Sequence, residues 1–274
     1  MNRFKTILLW LAVTSPFLGL FLLVNLTAIG VFGDLPTFDQ LENPKNNLAT
    51  EIISEDGIVL GKYFFENRSK ARYNEIPENL INAFISTEDV RFRNHSGIDG
   101  RALLRAIYGA LTGKSSSGGA STITQQLSKM LFTDKPSSGI ERVMQKLKEW
   151  IISGQLEKRY TKDEILTMYL NRFDWVNNAV GIKSASKVYF NKAPIDLNVS
   201  ESAMLVGMLK NPSYYNPNRR IELTQGRRNI VLSQMKKYEV ISDSLFDTLV
   251  QQPIILNFKK ASHNEGLAPY FREY

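Results

Sequence analysis

Two carboxylates, three basic residues and a glutamine-rich turn carry the residue types from which transfer chemistry could be built. Over Glu78 to Asp89 the apolar positions Ile81, Phe84 and Ile85 recur at helical spacing, and the next position on that stripe is Glu88. A carboxylate continuing a buried face loses hydration of its charged form, which suits a general base working near neutrality. The competing reading is a helix-end glutamate in an ordinary ion pair. Glu88 also opens a dense run, Glu88-Asp89-x-x-Phe92-x-x-His95-x-Gly97-x-Asp99.

A second constellation lies further on. Arg142, Gln145, Lys146 and Glu149 share one face of a helical stretch whose apolar stripe is Ile140, Met144, Leu147 and Ile151. A solvated, salt-bridged face is the competing reading. Between the two, a Gly/Ser loop runs into Gly119-Ala120-Ser121-Thr122-Ile123-Thr124-Gln125-Gln126, with Lys129 about two turns into the helix that follows. Small residues at a helix start leave backbone N–H groups open to an anion. Thr122-x-x-Gln125 is equally a capping box. Gln125 and Gln126 have no packing purpose visible in the sequence and could bond sugar or phosphate.

The elements that must position these residues are mostly helices. The periodicity predicts helices over 78–89, 102–111, 121–131, 140–159, 161–171, 181–189, 199–210, 222–238 and 242–251. Glu55-Asp56-Gly57 between apolar runs 49–54 and 58–65 predicts a small hairpin. No internal repeat is present.

Ahead of this body, no charge occurs from Ile7 to Gly33, a run long enough to cross a bilayer. Arg3 and Lys5 precede it and Asp34 follows, which predicts a cytoplasmic N-terminus and a body outside. The run is too long for a cleaved signal peptide. A net charge of +7 favours anionic partners. With the body outside, nucleic acid drops out and lipid-bound diphosphate rises. The absence of cysteine excludes disulfides, thiolate nucleophiles and cysteine-based metal sites, and two histidines are too few for a histidine cluster.

Taken in order, these segments resemble the family-51 glycosyltransferases, the peptidoglycan-polymerising domains of class A penicillin-binding proteins and their monofunctional relatives. The resemblance spans about residues 52–235 and rests on five motifs. Three are the Glu88 run, Gly119-x-Ser121-Thr122-Ile123-Thr124-Gln125-Gln126-x-x-Lys129, and Lys146-x-x-Glu149. Lys162-Asp163-Glu164-Ile165-Leu166-x-x-Tyr169-Leu170-Asn171 and Gly181-x-x-x-Ala185-x-x-x-Tyr189-Phe190-x-Lys192 complete the set. Gln145 stands where the family usually has Arg, Met130 where Asn is common and Thr167 where Glu is frequent; Ser184 and Asn191 alter the fifth motif.

The resemblance implies a mainly α, lysozyme-like two-lobed domain with a small β element behind an N-terminal transmembrane helix. Residues 1–33 would be tail and anchor, 34–75 a connector with the hairpin, and 76–240 the glycosyltransferase. Residues 241–274 would form a C-terminal helix and the start of a linker to a transpeptidase domain, with the aromatic-rich stretch around Leu267, Tyr270 and Phe271 leading into it.

The implied reaction joins a growing glycan strand on polyprenyl diphosphate to a lipid-linked disaccharide by one inverting displacement. Glu88 would be the base and Glu149 would assist at the diphosphate. Asp89, Phe92, His95, Ser121, Thr122, Gln125, Gln126, Lys129, Arg142 and Lys146 would bind substrate. No cofactor is required, and a divalent cation, Mg or Mn, held near Glu149 is the one candidate. The implied place is the cytoplasmic membrane, single-pass, with the catalytic body extracytoplasmic among other cell-wall synthesis proteins. A lysozyme-type hydrolase with Glu88 as acid is one rival and does not explain Lys129 and Lys146 beside Glu149; a decayed scaffold is the other, opposed by intact Glu88, Glu149, Gln126 and Lys129 and favoured only by Gln145. The stretch Leu103-Leu104-x-x-Ile107-Tyr108-x-x-Leu111, flanked by Arg101 and Arg105, reads as ordinary core packing before it reads as a bilayer-interface helix.

Overall fold

A computed structural model describes residues 3–37, 40–41, 50–53, 55–56, 59–63, 70–113, 119–133 and 136–259. The Gly/Ser loop at 114–118 and the terminal stretch holding Leu267, Tyr270 and Phe271 lie outside them.

The predicted helices and hairpin are observed, with element ends moving by one or two residues. Helix α1, Arg3–Ala28, is long and apolar enough to cross a membrane. Strands β1, Thr50–Ile53, and β2, Val59–Tyr63, form an antiparallel hairpin, with Thr50 opposite Tyr63 and a register shift between Ile52 and Ile53. Nine helices follow among the described residues. They are α2 Glu78–Glu88, α3 Gly100–Leu111, α4 Ile123–Phe132, α5 Gly139–Arg159, α6 Lys162–Arg172 and α7 Ile182–Phe190. Then come α8 Val199–Met208, α9 Ile221–Lys237 and α10 Asp243–Gln251.

Side chains that accept orphan backbone N–H groups set the helix starts. Thr122 caps α4, Ser138 caps α5 and Ser242 caps α10, while Thr161 with Glu164 and Asn198 with Glu201 close capping boxes on α6 and α8. Asp99 caps α3 through the N–H groups of Arg101 and Ala102. Burial works against the Asp99 charge, but the Ala102 N–H and the Arg91 guanidinium outweigh it and hold its carboxyl below the ordinary range.

From Ser202 to Met208 helix α8 is buried on every side and forms the centre of the body. Ala203, Met204, Leu205 and Met208 are fully buried, each long side chain contributing about 1.5–3 kcal/mol by leaving water. Helices α2 and α9 pack against it, and α10 packs on α9. The other half is the α4–α5–α6 layer, with α1 running against α5.

Two clamps tie connectors to this core. Asn171 at the end of α6 accepts from Ala71 N–H at 2.8 Å and donates to Ala71 C=O at 2.8 Å. Its backbone is crossed so closely by Gly181, at φ +83°, that a Cβ there would lie 3.0 Å from the Asn171 carbonyl oxygen. Asn171→Ala leaves both groups of buried Ala71 without partners and is expected to cost about 2–4 kcal/mol, read as a lowered thermal midpoint by tryptophan fluorescence. An unchanged midpoint would show that the clamp contributes nothing.

Candidate active site

Helix α2 buries Leu80, Ile81, Ala83 and Phe84, and Glu88 is its last residue. The sequence places Glu88 on the buried stripe. In the structure it is half-buried, because the stripe runs out where the helix ends at the cleft. Gln126, in the first turns of α4, donates from Nε2 to Glu88 Oε2 at 3.0 Å. The Tyr169 hydroxyl of α6 donates to Gln126 Oε1 at 2.9 Å.

The residues after Glu88 build the wall behind it. Asp89 is buried, accepts from Ile123 N–H at 3.1 Å, and lies 3.0 Å from His95 Nε2. Its carboxylate thereby occupies the N-terminal end of α4, where a negative charge is favoured. Thr122 donates to Gly97 C=O at 2.6 Å and Gln125 Nε2 donates to the same oxygen at 3.2 Å. Gly97 sits at φ +86°, and a Cβ on it would lie 2.9 Å from the Ser153 carbonyl carbon on α5. Phe92 is wholly buried, with Lys162 Nζ 4.3 Å from its ring centroid.

Phe92, His95, Asp89, Thr122 and Gln125, expected at the substrate, make these contacts within the protein and tie the turn after α2 to the start of α4, while His95 Nδ1 and Gln125 Oε1 are buried without a hydrogen-bond partner among the described residues. Sequence spacing shows which residues share a segment, and their inward packing depends on α4 and α6 crossing behind them.

The second constellation assembles around Lys146. Its ammonium donates to Glu149 Oε2 at 2.8 Å and to Ser121 Oγ at 2.8 Å, joining α5 to the residue just ahead of the α4 cap. Glu149 is buried and Lys146 half-exposed. Ser153 donates to the Glu149 carbonyl oxygen and meets Ser128 Oγ at 3.0 Å, so α4 and α5 approach through two buried serines. Lys129 and Arg142 are exposed, and neither side chain makes a hydrogen bond or ion pair among the described residues.

The buried face of α5 is not the expected one. Leu147, Glu149, Ile152, Ser153 and Leu156 are buried, whereas Ile140 is 74% exposed and Met144 and Ile151 are only half-buried. At 21 residues α5 is about 31 Å long, twice the length of α4, so its first turns overhang their support. Core packing of the 103–111 stripe is also overturned. Leu104, Ile107 and Tyr108 on α3 are 68%, 47% and 67% exposed, with Arg101 and Arg105 beside them.

Gln145 turns its amide to Thr133 Oγ1 at 3.0 Å and so bridges α5 to the end of α4. An arginine there has the reach to leave that contact and face the Lys146 cluster. Gln145→Arg is therefore expected to leave the rate of the transfer reaction that the sequence implies unchanged or faster in an initial-rate assay. A large loss would mean that the Thr133 bridge holds the cluster in shape.

Sequence reasoning missed three contributors as site residues. Tyr169 reads as a buried aromatic on an apolar stripe, and only its hydroxyl hints at a polar partner. Lys162 stands in the fourth motif with no role assigned to it, and Glu157 is not singled out. In the structure Lys162 donates to Glu157 at 2.7 Å and to the His95 carbonyl at 2.6 Å, and Glu157 accepts from Thr124. Together they brace the first motif from below.

A half-buried carboxylate is thus fixed by a glutamine at one end of the segment 121–126, and a buried carboxylate is paired with a lysine at the other. The transglycosylase family description matches residues 56–236 of the chain. Penicillin-binding protein 1A of Pseudomonas aeruginosa is 32% identical over 265 residues, covering 97% of this chain and 32% of the relative. Penicillin-binding protein 1A of Escherichia coli K12 is 35% identical over 239 residues, covering 87% and 28%. Penicillin-binding protein 1F of Bacillus subtilis 168 is 36% identical over 226 residues, covering 82% and 30%. The chain belongs to the transglycosylase family. It spans about a third of the length of these curated relatives.

Proposed function

We propose that this chain is a peptidoglycan glycosyltransferase that polymerises a lipid-linked disaccharide into β-1,4 glycan strands with release of polyprenyl diphosphate. The observation that carries the reading is the placement of Glu88 and the Lys146–Glu149–Ser121 cluster at opposite ends of one helix start. Gln126, which touches Glu88, is five residues beyond Ser121, which touches Lys146. Three helical steps separate Gln126 from Ile123 and cover about 4.5 Å, and the extended cap Thr122 carries the chain back to Ser121. An inverting displacement needs a base about 3 Å from the attacking hydroxyl and that hydroxyl about 3 Å from the anomeric carbon, with the leaving diphosphate beyond. A base and a cation held at separate points of one short segment suit that line.

Glu88 takes the proton of the acceptor's 4-hydroxyl as its oxygen attacks the donor's anomeric carbon. The bond from that carbon to the diphosphate breaks, and the electron pair leaves with the phosphate oxygen. The leaving group is already a stable anion, so fixed positive charge serves it better than a proton donor. Lys146 supplies that charge from within the site, Ser121 offers a hydroxyl beside it, and exposed Lys129 meets the diphosphate as it enters. Among the described residues no three His, Asp or Glu side chains cluster as metal ligands. A divalent cation, Mg or Mn, would be held by Glu149 together with the substrate's diphosphate and would add positive charge there, while the fixed positive charge of the protein itself is that of the lysines.

The same reading places the chain in the cytoplasmic membrane through α1, with its N-terminus inside and the helical body on the outer side beside its lipid-borne substrates. The positive flank of α1 and the exposed apolar face of α3 support it. Incubating the full chain in detergent or liposomes with lipid-linked disaccharide tests the function; polymer that grows with time is expected, and none would defeat it. Lys129→Ala is expected to slow donor use at least about tenfold while acceptor saturation changes little, because the charge to be stabilised departs with the donor. Equal effects on both substrates would remove Lys129 from the diphosphate.

A further inference from the structure

Tyr169 lies outside the cleft surface, with 1% of its area exposed, yet its hydroxyl is one side chain away from the proposed base. Its ring is fully used by packing: the Phe84 centroid is 4.7 Å away and Phe173 stacks on it at 6.0 Å. A phenylalanine would satisfy that packing. Burying a hydroxyl is costly unless it finds a partner, and its partner here is not core backbone but the amide of Gln126.

The chemistry of the chain of contacts fixes its direction. An ionised Glu88 carboxylate only accepts, so the Gln126 group facing it must be the NH2. The amide oxygen then points back to α6, and only a donor can meet it there. Tyr169 is held as that donor, since burial, reinforced by the charge of Glu88, pushes its hydroxyl well above the usual phenol range. With the hydroxyl absent, the Gln126 amide is free to turn and Glu88 loses its one side-chain hydrogen bond among the described residues.

Resting on the glycosyltransferase reading above, we propose that Tyr169 is a positioning residue for the reaction: its hydroxyl orients the Gln126 amide, which in turn holds the Glu88 carboxylate at the angle needed for proton removal. Tyr169 touches no substrate. Its effect therefore falls on turnover and not on substrate affinity, and it vanishes when Gln126 is absent.

The test is Tyr169→Phe in the full-length chain in detergent micelles. The thermal midpoint is expected to stay within a few degrees of the unmodified chain, KM to stay within twofold, and kcat to fall about tenfold. In a Gln126→Ala background the same substitution is expected to cost less than twofold. Equal fold-losses in both backgrounds, or an unchanged kcat, would overturn the proposal. Should Gln126→Ala fall below detection, the split in Tyr169→Phe alone decides: a KM rise or a melting shift in proportion to the activity loss counts against it. A readout independent of turnover separates this idea from the functional one. The side-chain amide NMR signal of Gln126, assigned by its loss in Gln126→Ala, is expected to be dispersed in the unmodified chain and to collapse towards the free-amide position in Tyr169→Phe. Failure of the unmodified chain to make polymer defeats the functional reading; an amide signal unmoved by Tyr169→Phe defeats this one.

Discussion

Glu88→Gln is expected to lower polymerisation by at least about two orders of magnitude while leaving the fold and the binding of lipid-linked substrate intact. The substitution changes one atom type and no volume. Glu88 is the last residue of α2 and only half-buried, so no core contact depends on its charge. Its single side-chain partner among the described residues, Gln126 Nε2 at 3.0 Å, can be met equally by the amide oxygen of a glutamine. The hydrogen-bond chain from Tyr169 therefore survives, and what is lost is the capacity to take a proton. Without a base the acceptor hydroxyl must attack while still carrying its proton, and the positive charge building on that oxygen has no sink. Thermal unfolding and a substrate-binding assay check the first half of the expectation, and single-turnover rates check the second. Turnover within a few-fold of the unmodified chain would remove Glu88 from the mechanism.

How much of this was legible beforehand depends on whether a feature is local. Caps and periodicity are local, and Thr122, Thr161, Asn198 and Ser242 start their helices where the sequence says they should. The type and order of every long helix followed from the same signals. The burial of individual faces is not local. Ile140 carries the same 3.6-residue signature as Leu147, but only Leu147 lies over α4, because α5 outreaches the helix that supports it. Leu104 and Tyr108 likewise share a stripe that no neighbouring element covers among the described residues.

At the site, the types of Glu88, Lys146 and Glu149 were readable because charges on helices with apolar neighbours invite a reason. Their division of labour was not. Gln125 and Gln126 are adjacent and identical in type, yet one bonds the Gly97 carbonyl within the wall and the other bonds the base. A helix turns about 100° per residue, so neighbours must face different surroundings, and which faces the cleft is decided by the position of α2. Tyr169 was hidden for a related reason. Its ring obeys the core pattern fully, and the hydroxyl that matters has no periodicity to betray it.

The lysine at the other end of the site allows a sharper separation of stability from chemistry. Lys146→Met keeps the stem of the side chain and removes the ammonium that joins Ser121 to Glu149. Two losses follow. Glu149, buried against Lys146, is left with a charge that no cation offsets, and breaking such a pair from one side destabilises a fold more than removing both partners. The reaction also loses its innermost positive charge, and removing one preorganised group of this kind typically costs about 10²–10³-fold in turnover. Adding Glu149→Gln to Lys146→Met discharges the orphaned carboxylate at constant shape. The double variant is therefore expected to recover most of the lost thermal midpoint and none of the lost activity. Melting curves and initial polymerisation rates on the three chains read the two quantities independently. If activity returned along with stability, Lys146 would be a structural partner of Glu149 and the leaving diphosphate would have to be met elsewhere, with exposed Lys129 and Arg142 the remaining cations on that side. If the single variant stayed within threefold of the unmodified rate, the placement of the diphosphate at the start of α4 would fall with it.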